Sequence, residues 1–245
     1  MNSAPVVLVT GASRGIGAAT AELFAQNGYN VCINYIKDTL SANNVAKKVQ
    51  SYGVNALVLQ ANVANEDEVI AMFNTIDNTF GQIDVLINNA GILKPQMPLL
   101  NMNAQRINEI LTTNVTSAFL CAREAIKRMS SGGSIVNVSS GAAKTGSPNE
   151  YIDYAASKGA IDTLTIGLAK EVAALNIRVN GVRPGLIYTD MHRDGGEENR
   201  VNRLKNKLPL GRGGTPEEVA AAIYFLASEQ ASFTTGGFID VAGGL

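Results

Sequence analysis

At 245 residues the chain has room for one or two domains, and a single large α/β domain fits comfortably. Hydrophobic residues make up 46% and charged residues 17%, with a net charge of −1, so a compact core is expected and no nucleic-acid or membrane partner is. No apolar run approaches the roughly 18 residues of a membrane helix. Residues 1–5 lack the basic start and long apolar stretch of a secretory signal, and cytoplasmic residence is the expectation.

In chain order, β-branched runs at 6–10, 30–36, 55–60, 83–88, 134–139, 177–182 and 238–241 alternate with helix-period segments. The helical segments fall at 15–27, 39–52, 66–80, 104–128, 154–175 and 216–228. Strands apolar on both faces and separated by helices predict an α/β fold, a doubly wound parallel sheet of about seven strands with helices on both faces. No repeat, low-complexity tract or linker divides the chain, so residues 1–245 read as one catalytic domain. Only 189–215 breaks the rhythm. It carries Gly195, Gly196, Gly211, Gly213 and Gly214 among mostly polar residues, and reads as a substrate lid, with a solvated surface excursion as the plain alternative. Cys32 and Cys121 match no metal or redox spacing and read as buried thiols.

The first predicted strand runs into Thr10-Gly11-Ala12-Ser13-Arg14-Gly15-Ile16-Gly17, after which an alanine-rich helix begins. Gly11 permits a tight turn, Gly15 lets backbone approach a pyrophosphate, and Gly17 allows close helix–sheet packing. The helix N-terminus then offers unpaired N–H groups and a positive dipole end to phosphates. A glycine-rich turn alone is a weak signal. At the first strand–helix junction of an alternating chain it points to a Rossmann-type sheet that binds a dinucleotide.

The spacing G-x-x-x-G-x-G resembles the cofactor turn of the short-chain dehydrogenase/reductase family. The resemblance covers nearly the whole chain. Asn88-Asn89-Ala90-Gly91 follows the fourth strand, Asn114 lies in the next helix, and Ser140 ends the fifth strand. Tyr154-x-x-x-Lys158 opens the following helix, and Pro184-Gly185 follows the sixth strand. The resemblance implies an NAD(P)-dependent oxidoreductase acting on CH–OH donors or the matching carbonyls. It puts Ser13 and Ile16 in the cofactor turn, and Asn89, Ala90 and Gly91 against the adenosine side. Pro184, Gly185, Ile187 and Thr189 then lie beside the nicotinamide.

NAD-preferring folds place an acid at the end of the second strand, on the adenosine ribose. Tyr35 stands there, so no carboxylate repels a 2′-phosphate. The resemblance brings Arg14 to that phosphate, and Lys37 would add a second charge. NADP(H) is therefore expected, with NAD(H) the alternative if Asp38 serves the ribose. Asn62, followed by Val63, replaces the family's common Asp near the adenine, and its carbonyl can still accept a hydrogen bond.

Tyr154 and Lys158 share a helix face. Hydride addition to a carbonyl generates an alkoxide that needs a proton donor. A free tyrosine titrates near ~10, and a nearby ammonium would lower that value. Tyr154 then acts as acid in reduction and base in oxidation, and by resemblance Lys158 also holds the nicotinamide ribose. Tyr151 competes for the role, but four residues later stands Ala155. Matching the family pattern favours Ser140 over Ser139 as the hydroxyl that orients the substrate oxygen. Asn114 matches the asparagine of a water-linked proton path to the lysine, with a buried, satisfied amide as the bland alternative. His192, the only histidine, reads as lid or substrate rim, and no metal site is expected.

Two subgroups are similar: the 3-oxoacyl-carrier-protein reductases and the glucose or sugar-alcohol dehydrogenase-like enzymes. Tyr151-Ile152-Asp153-Tyr154 resembles the second slightly more. Arginines common at the entrance of the first correspond to Ser131 and Leu175, with Lys127 and Arg128 nearby. The expected partners are a small carbonyl or alcohol substrate and, by resemblance, three further copies in a homotetramer. A catalytically silent dinucleotide-binding sensor is the main alternative, and a purely partner-binding role would predict no cofactor binding.

Overall fold

The chain is described by a computed structural model, which covers residues 4–129 and 132–245. β1 (Val6–Val9) leads through the glycine turn into α1 (Gly15–Gln26), then β2 (Asn30–Tyr35), α2 (Thr39–Gln50), β3 (Ala56–Gln60), α3 (Glu66–Phe80) and β4 (Val85–Asn88). α4 (Ala104–Leu111) and α5 (Ser117–Ile126) precede β5 (Ser134–Val138), α6 (Ala142–Thr145), α7 (Ile152–Glu171) and β6 (Arg178–Pro184). α8 (Met191–Asp194), α9 (Arg200–Leu204), α10 (Pro216–Ala227) and β7 (Phe238–Val241) complete the chain.

The strands form one seven-stranded parallel sheet in the order β3-β2-β1-β4-β5-β6-β7, the Rossmann-type arrangement expected. Side chains alternate across it. Val7, Val9, Val31 and Ile33 pack with α1, α2 and α10 on one face. Val6, Leu8, Cys32 and Leu86 pack with α3, α5 and α7 on the other. Both cysteines are buried thiols. The chain crosses from one half of the sheet to the other between β1 and β4, and the carboxyl ends of strands at such a switch point form a crevice.

Three local differences from the sequence expectations matter for the site. The helix expected over 104–128 is broken by a π turn at Thr112–Thr116, which contains Asn114. α7 starts at Ile152, which sets Tyr154 within its first turn. Segment 189–215 is not irregular throughout, because it holds α8, α9 and a 3₁₀ turn at Lys205–Lys207. An Ile187–Gly214 bridge closes its base.

Ser131 lies outside the described residues, while Leu175 is exposed. Lys127 and Arg128 are engaged with buried Glu124, at 2.8 and 2.7 Å. Burial opposes the Glu124 charge, yet hydrogen bonds from Lys127, Arg128 and Arg123 pull its carboxyl down to about 2. Among the described residues no helix is long and apolar enough to cross a membrane.

Candidate active site

The glycine turn is held by residues at or just beyond the carboxyl ends of three neighbouring strands, β1, β2 and β4. Gly11 and Gly15 have φ of +62° and +56°, which side-chain-bearing residues rarely adopt. Gly17 is demanded by packing, since a Cβ there would lie 2.6 Å from both Asn89 Nδ2 and the Gly11 carbonyl. Asn89 Nδ2 donates to the Thr10 and Gly11 carbonyls at 2.9 and 3.1 Å. Thr10 Oγ1 accepts from the Asn89 and Ala90 amides, both at 3.0 Å. Asn34 Oδ1 accepts from the Gly11 amide at 3.2 Å, while its Nδ2 donates to the Ala61 carbonyl at 3.0 Å. Sequence reasoning put Thr10 at the start of the turn without giving its side chain a role, and missed Asn34. The available signal for Asn34 was an amide in the otherwise apolar run Val31-Cys32-Ile33.

At the start of α1 Arg14 occupies the cap position without a side-chain cap bond. The first-turn N–H groups are thus left for another acceptor. Ile16 lines the adjoining cleft, and a Cβ on Gly15 would meet the Thr189 side chain at 3.4 Å. An uncapped helix start beside a close-approach glycine fits a dinucleotide pyrophosphate.

Around the expected adenosine site, β2 ends at Tyr35, whose hydroxyl accepts from Thr39 Oγ1 at 3.1 Å. Asp38 caps α2 by accepting from the Ser41 amide at 2.9 Å. Asn62 turns its Oδ1 to the Ala64 amide at 3.1 Å, so its carbonyl serves a local turn over buried Val63. The guanidinium of Arg14 is paired with Asp194 and lies 3.8 Å from Asp190, both in the segment expected as a lid.

Ser140, Tyr154 and Lys158 line one cleft of about 420 Å³. Asn89, Pro184, Gly185, Ile187 and Thr189 line it too. Ser140 Oγ accepts from the Ala142 amide at 3.1 Å, and its hydroxyl acts on Tyr154 to favour the charged form. The neighbouring Ser139 is buried and donates to the Lys158 carbonyl at 3.2 Å. Lys158 Nζ donates to the Val138 carbonyl at 2.8 Å and sits 5.6 Å from the centre of the Tyr154 ring.

Burial pushes the Tyr154 hydroxyl up to about 12, with the Ser140 hydroxyl pulling the other way. Burial also pushes the Lys158 ammonium down to about 8, opposed by Asp162. The expectation of a depressed tyrosine is therefore corrected for this arrangement. The ammonium faces the Val138 carbonyl and the ring, so desolvation of the hydroxyl dominates.

Asn114 is fully engaged: Oδ1 accepts from the Ile92 amide at 2.7 Å, and Nδ2 donates to the Ile92 carbonyl and Ser157 Oγ at 3.0 and 3.1 Å. It shares with Lys158 the lining of a second cavity of about 10 Å³. Tyr151 is directed away from the acid position, donating to the Gly195 carbonyl at 3.0 Å. Asp153, missed by sequence reasoning, is buried, accepts the Tyr154 amide at 2.9 Å, and pairs with Arg106 Nε at 2.7 Å. Among the described residues no group of three or more His, Cys, Asp or Glu could hold a metal ion.

Known proteins share this architecture. The family model described as enoyl-(acyl carrier protein) reductase matches residues 11–245. An uncharacterized oxidoreductase of Escherichia coli, YgfF, is 57% identical over 98% of this chain and 99% of its own. The 3-oxoacyl-[acyl-carrier-protein] reductase FabG of Staphylococcus aureus is 38% identical over 97% of this chain and 96% of its own. Among solved structures, a short-chain dehydrogenase/reductase from Serratia marcescens superposes with a TM-score of 0.92 at 32% identity, covering 98% of this chain and 97% of that one. Matched along nearly its whole length in sequence and in fold, the chain belongs to the short-chain dehydrogenase/reductase family of oxidoreductases.

Proposed function

We propose that the chain transfers a hydride between NADP(H) and a carbonyl or secondary alcohol, with Tyr154 as the acid/base. The observation that carries this reading is the meeting of Ser140, Tyr154 and Lys158 in one cleft that begins at the uncapped start of α1. Bound there, a dinucleotide supplies the hydride in reduction and takes it in oxidation. Gly11, Ser13, Gly15, Ile16 and Gly17 hold its pyrophosphate, and Asn89, Ala90 and Gly91 steady the adenosine side. Pro184, Gly185, Ile187 and Thr189 frame the nicotinamide.

In reduction, Ser140 orients the carbonyl oxygen and Tyr154 delivers its proton to the nascent alkoxide. Lys158, held on the Val138 carbonyl, holds the nicotinamide ribose. The second cavity, about 10 Å³ between Asn114 and Lys158, is close to the volume one water needs, and supports a proton route to the lysine. NADP(H) is favoured over NAD(H) because Tyr35 replaces the ribose acid and Asp38 is committed to its cap. Arg14 is the cation for the 2′-phosphate. The relative named a 3-oxoacyl reductase supports the carbonyl-reducing direction. Leu111, Phe119, Ile152 and Ile166, exposed on α4, α5 and α7, support assembly as a homotetramer.

The test is a panel of carbonyls and alcohols run with NADPH and NADH side by side, with cofactor binding followed by fluorescence. Turnover faster with NADPH is expected. Tight NADPH binding without turnover of any carbonyl would instead favour a silent dinucleotide sensor.

A further inference from the structure

The cleft also carries information about what it accepts, an inference that rests on the hydride-transfer reading above. Beyond Ser140 and Tyr154 its walls are largely apolar, formed by Leu93, Pro148, Met191, Leu204 and Leu208. The titratable side chains that also reach it are Lys158, Glu150, Tyr151, His192, Arg200 and Lys207. Two of them, Lys158 and Lys207, are cations without a carboxylate partner among the described residues, and neither offers a buried anchor on the apolar wall. Lys158 is held on the Val138 carbonyl. His192 shares Nε2 with the Ile187 carbonyl at 3.0 Å, and burial lowers its affinity for a second proton, so it is neutral at pH 7. Lys207 is exposed at the rim and stays in water.

Arg200 would be the natural anchor for a substrate anion, because its side chain is only 11% exposed. It is already neutralised. Its guanidinium pairs with Glu150 and, at 3.2 Å, with Glu197, and stacks 5.0 Å from the centre of the Tyr151 ring. Arg203 closes the group, donating to Glu197 at 2.9 Å and lying 4.0 Å from Glu150. Two guanidinium groups and two carboxylates leave no net charge. A substrate anion could recruit Arg200 only by stranding a carboxylate, while apolar walls strip the anion of its hydration.

We propose that the substrate is a neutral ketone with an apolar substituent, or the corresponding alcohol, and that the Glu150–Arg200–Glu197–Arg203 cluster rejects compounds carrying a carboxylate or phosphate beside the carbonyl. Hydroxyl-rich carbonyls are disfavoured for the related reason that the apolar wall leaves their donors unmatched.

The test compares ethyl acetoacetate with acetoacetate, which differ only in ester against carboxylate, and 2-octanone with dihydroxyacetone, all with NADPH. The ester is expected to exceed the acid in kcat/KM by about 100-fold or more, and 2-octanone to exceed dihydroxyacetone. Glu197→Gln leaves a net positive charge in the cluster and should raise the acid-to-ester ratio by about tenfold, with Glu150→Gln as an independent route to the same change. Reduction of the acid within about threefold of the ester, or preference for dihydroxyacetone, overturns the inference and leaves the hydride-transfer reading intact. Absence of turnover of all four compounds by protein that binds NADPH overturns both.

Discussion

The two walls of the cleft rest on different physics. On the cofactor side, Gly11, Gly15 and Gly17 work through the absence of a Cβ, and short polar side chains at or just beyond the ends of three strands lock their carbonyls and amides. On the substrate side, α8 and α9 are four and five residues long, and they are stitched to the body by side-chain ion pairs. Backbone geometry at the carboxyl ends of the central strands tolerates changes of charge and pH but admits no added atom. An ion-paired segment admits added atoms where space is open, and depends on which partners are charged. On the proposed reading, the fixed wall suits a constant cofactor and the ion-paired wall suits substrate selection.

The largest expected effect lies where the walls meet. Tyr154→Phe should lower carbonyl reduction by about 10²–10⁴-fold while NADPH affinity changes little, because only the proton donor is lost. Measurement of NADPH consumption beside a fluorescence titration checks both parts, and equal loss of binding would assign Tyr154 to the cofactor wall alone.

Gly17→Ala forces a Cβ to within 2.6 Å of Asn89 and Gly11, and should cost about 1–3 kcal/mol, seen as a lower Tm and weaker NADPH binding. Gly211→Ala, in the segment 189–215 that supplies the other wall, meets nothing within 4 Å, and only its φ of +67° opposes the change. Its cost should be no more than about 1–2 kcal/mol, with cofactor affinity retained. Equal effects at the two glycines would erase the contrast.

Asp194→Asn couples the walls. It weakens the hold of segment 189–215 on Arg14, so NADPH should bind about twofold to fivefold tighter, the range an exposed ion pair allows, with NADH unchanged. A parallel gain for NADH would remove Arg14 from the 2′-phosphate.

The smallest effect is on acid stability. Arg203 above all, with Gln96 and Arg200, holds Glu197 down to about 2. Its folded value thus lies below its ordinary one near 4.5, so the stabilisation is complete above about pH 4.5 and is lost as pH falls toward 2. Thermal melts between pH 6 and 3 should show less decline for Glu197→Gln than for the parent.

Much of the fold was legible because its signals are local. Apolar runs separated by helical periods predicted the parallel sheet, and the i, i+4 spacing put Tyr154 and Lys158 on one face. The π turn was not legible, because one extra residue in a turn leaves the apolar periodicity of 104–128 almost unchanged. Nor were α8 and α9, which are too short for periodicity and have no side-chain caps. Among site residues, Asn34 and Asp153 looked like ordinary polar residues until their distant partners, Gly11 and Arg106, came beside them.

The sequence by itself determined the sheet, the glycine turn, and Tyr154 rather than Tyr151 as the tyrosine with a lysine four residues on. These depend on strand and helix periods and on which residues can adopt positive φ. Only the tertiary structure decided that Arg14 faces Asp190 and Asp194, that the Lys158 ammonium rests on the Val138 carbonyl, and that Arg200 is neutralised by Glu150 and Glu197. The reason is range. A charge acquires its partner, its hydration and its proton affinity from groups that folding brings within a few ångströms, and Arg200 and Glu150 stand 50 residues apart along the chain.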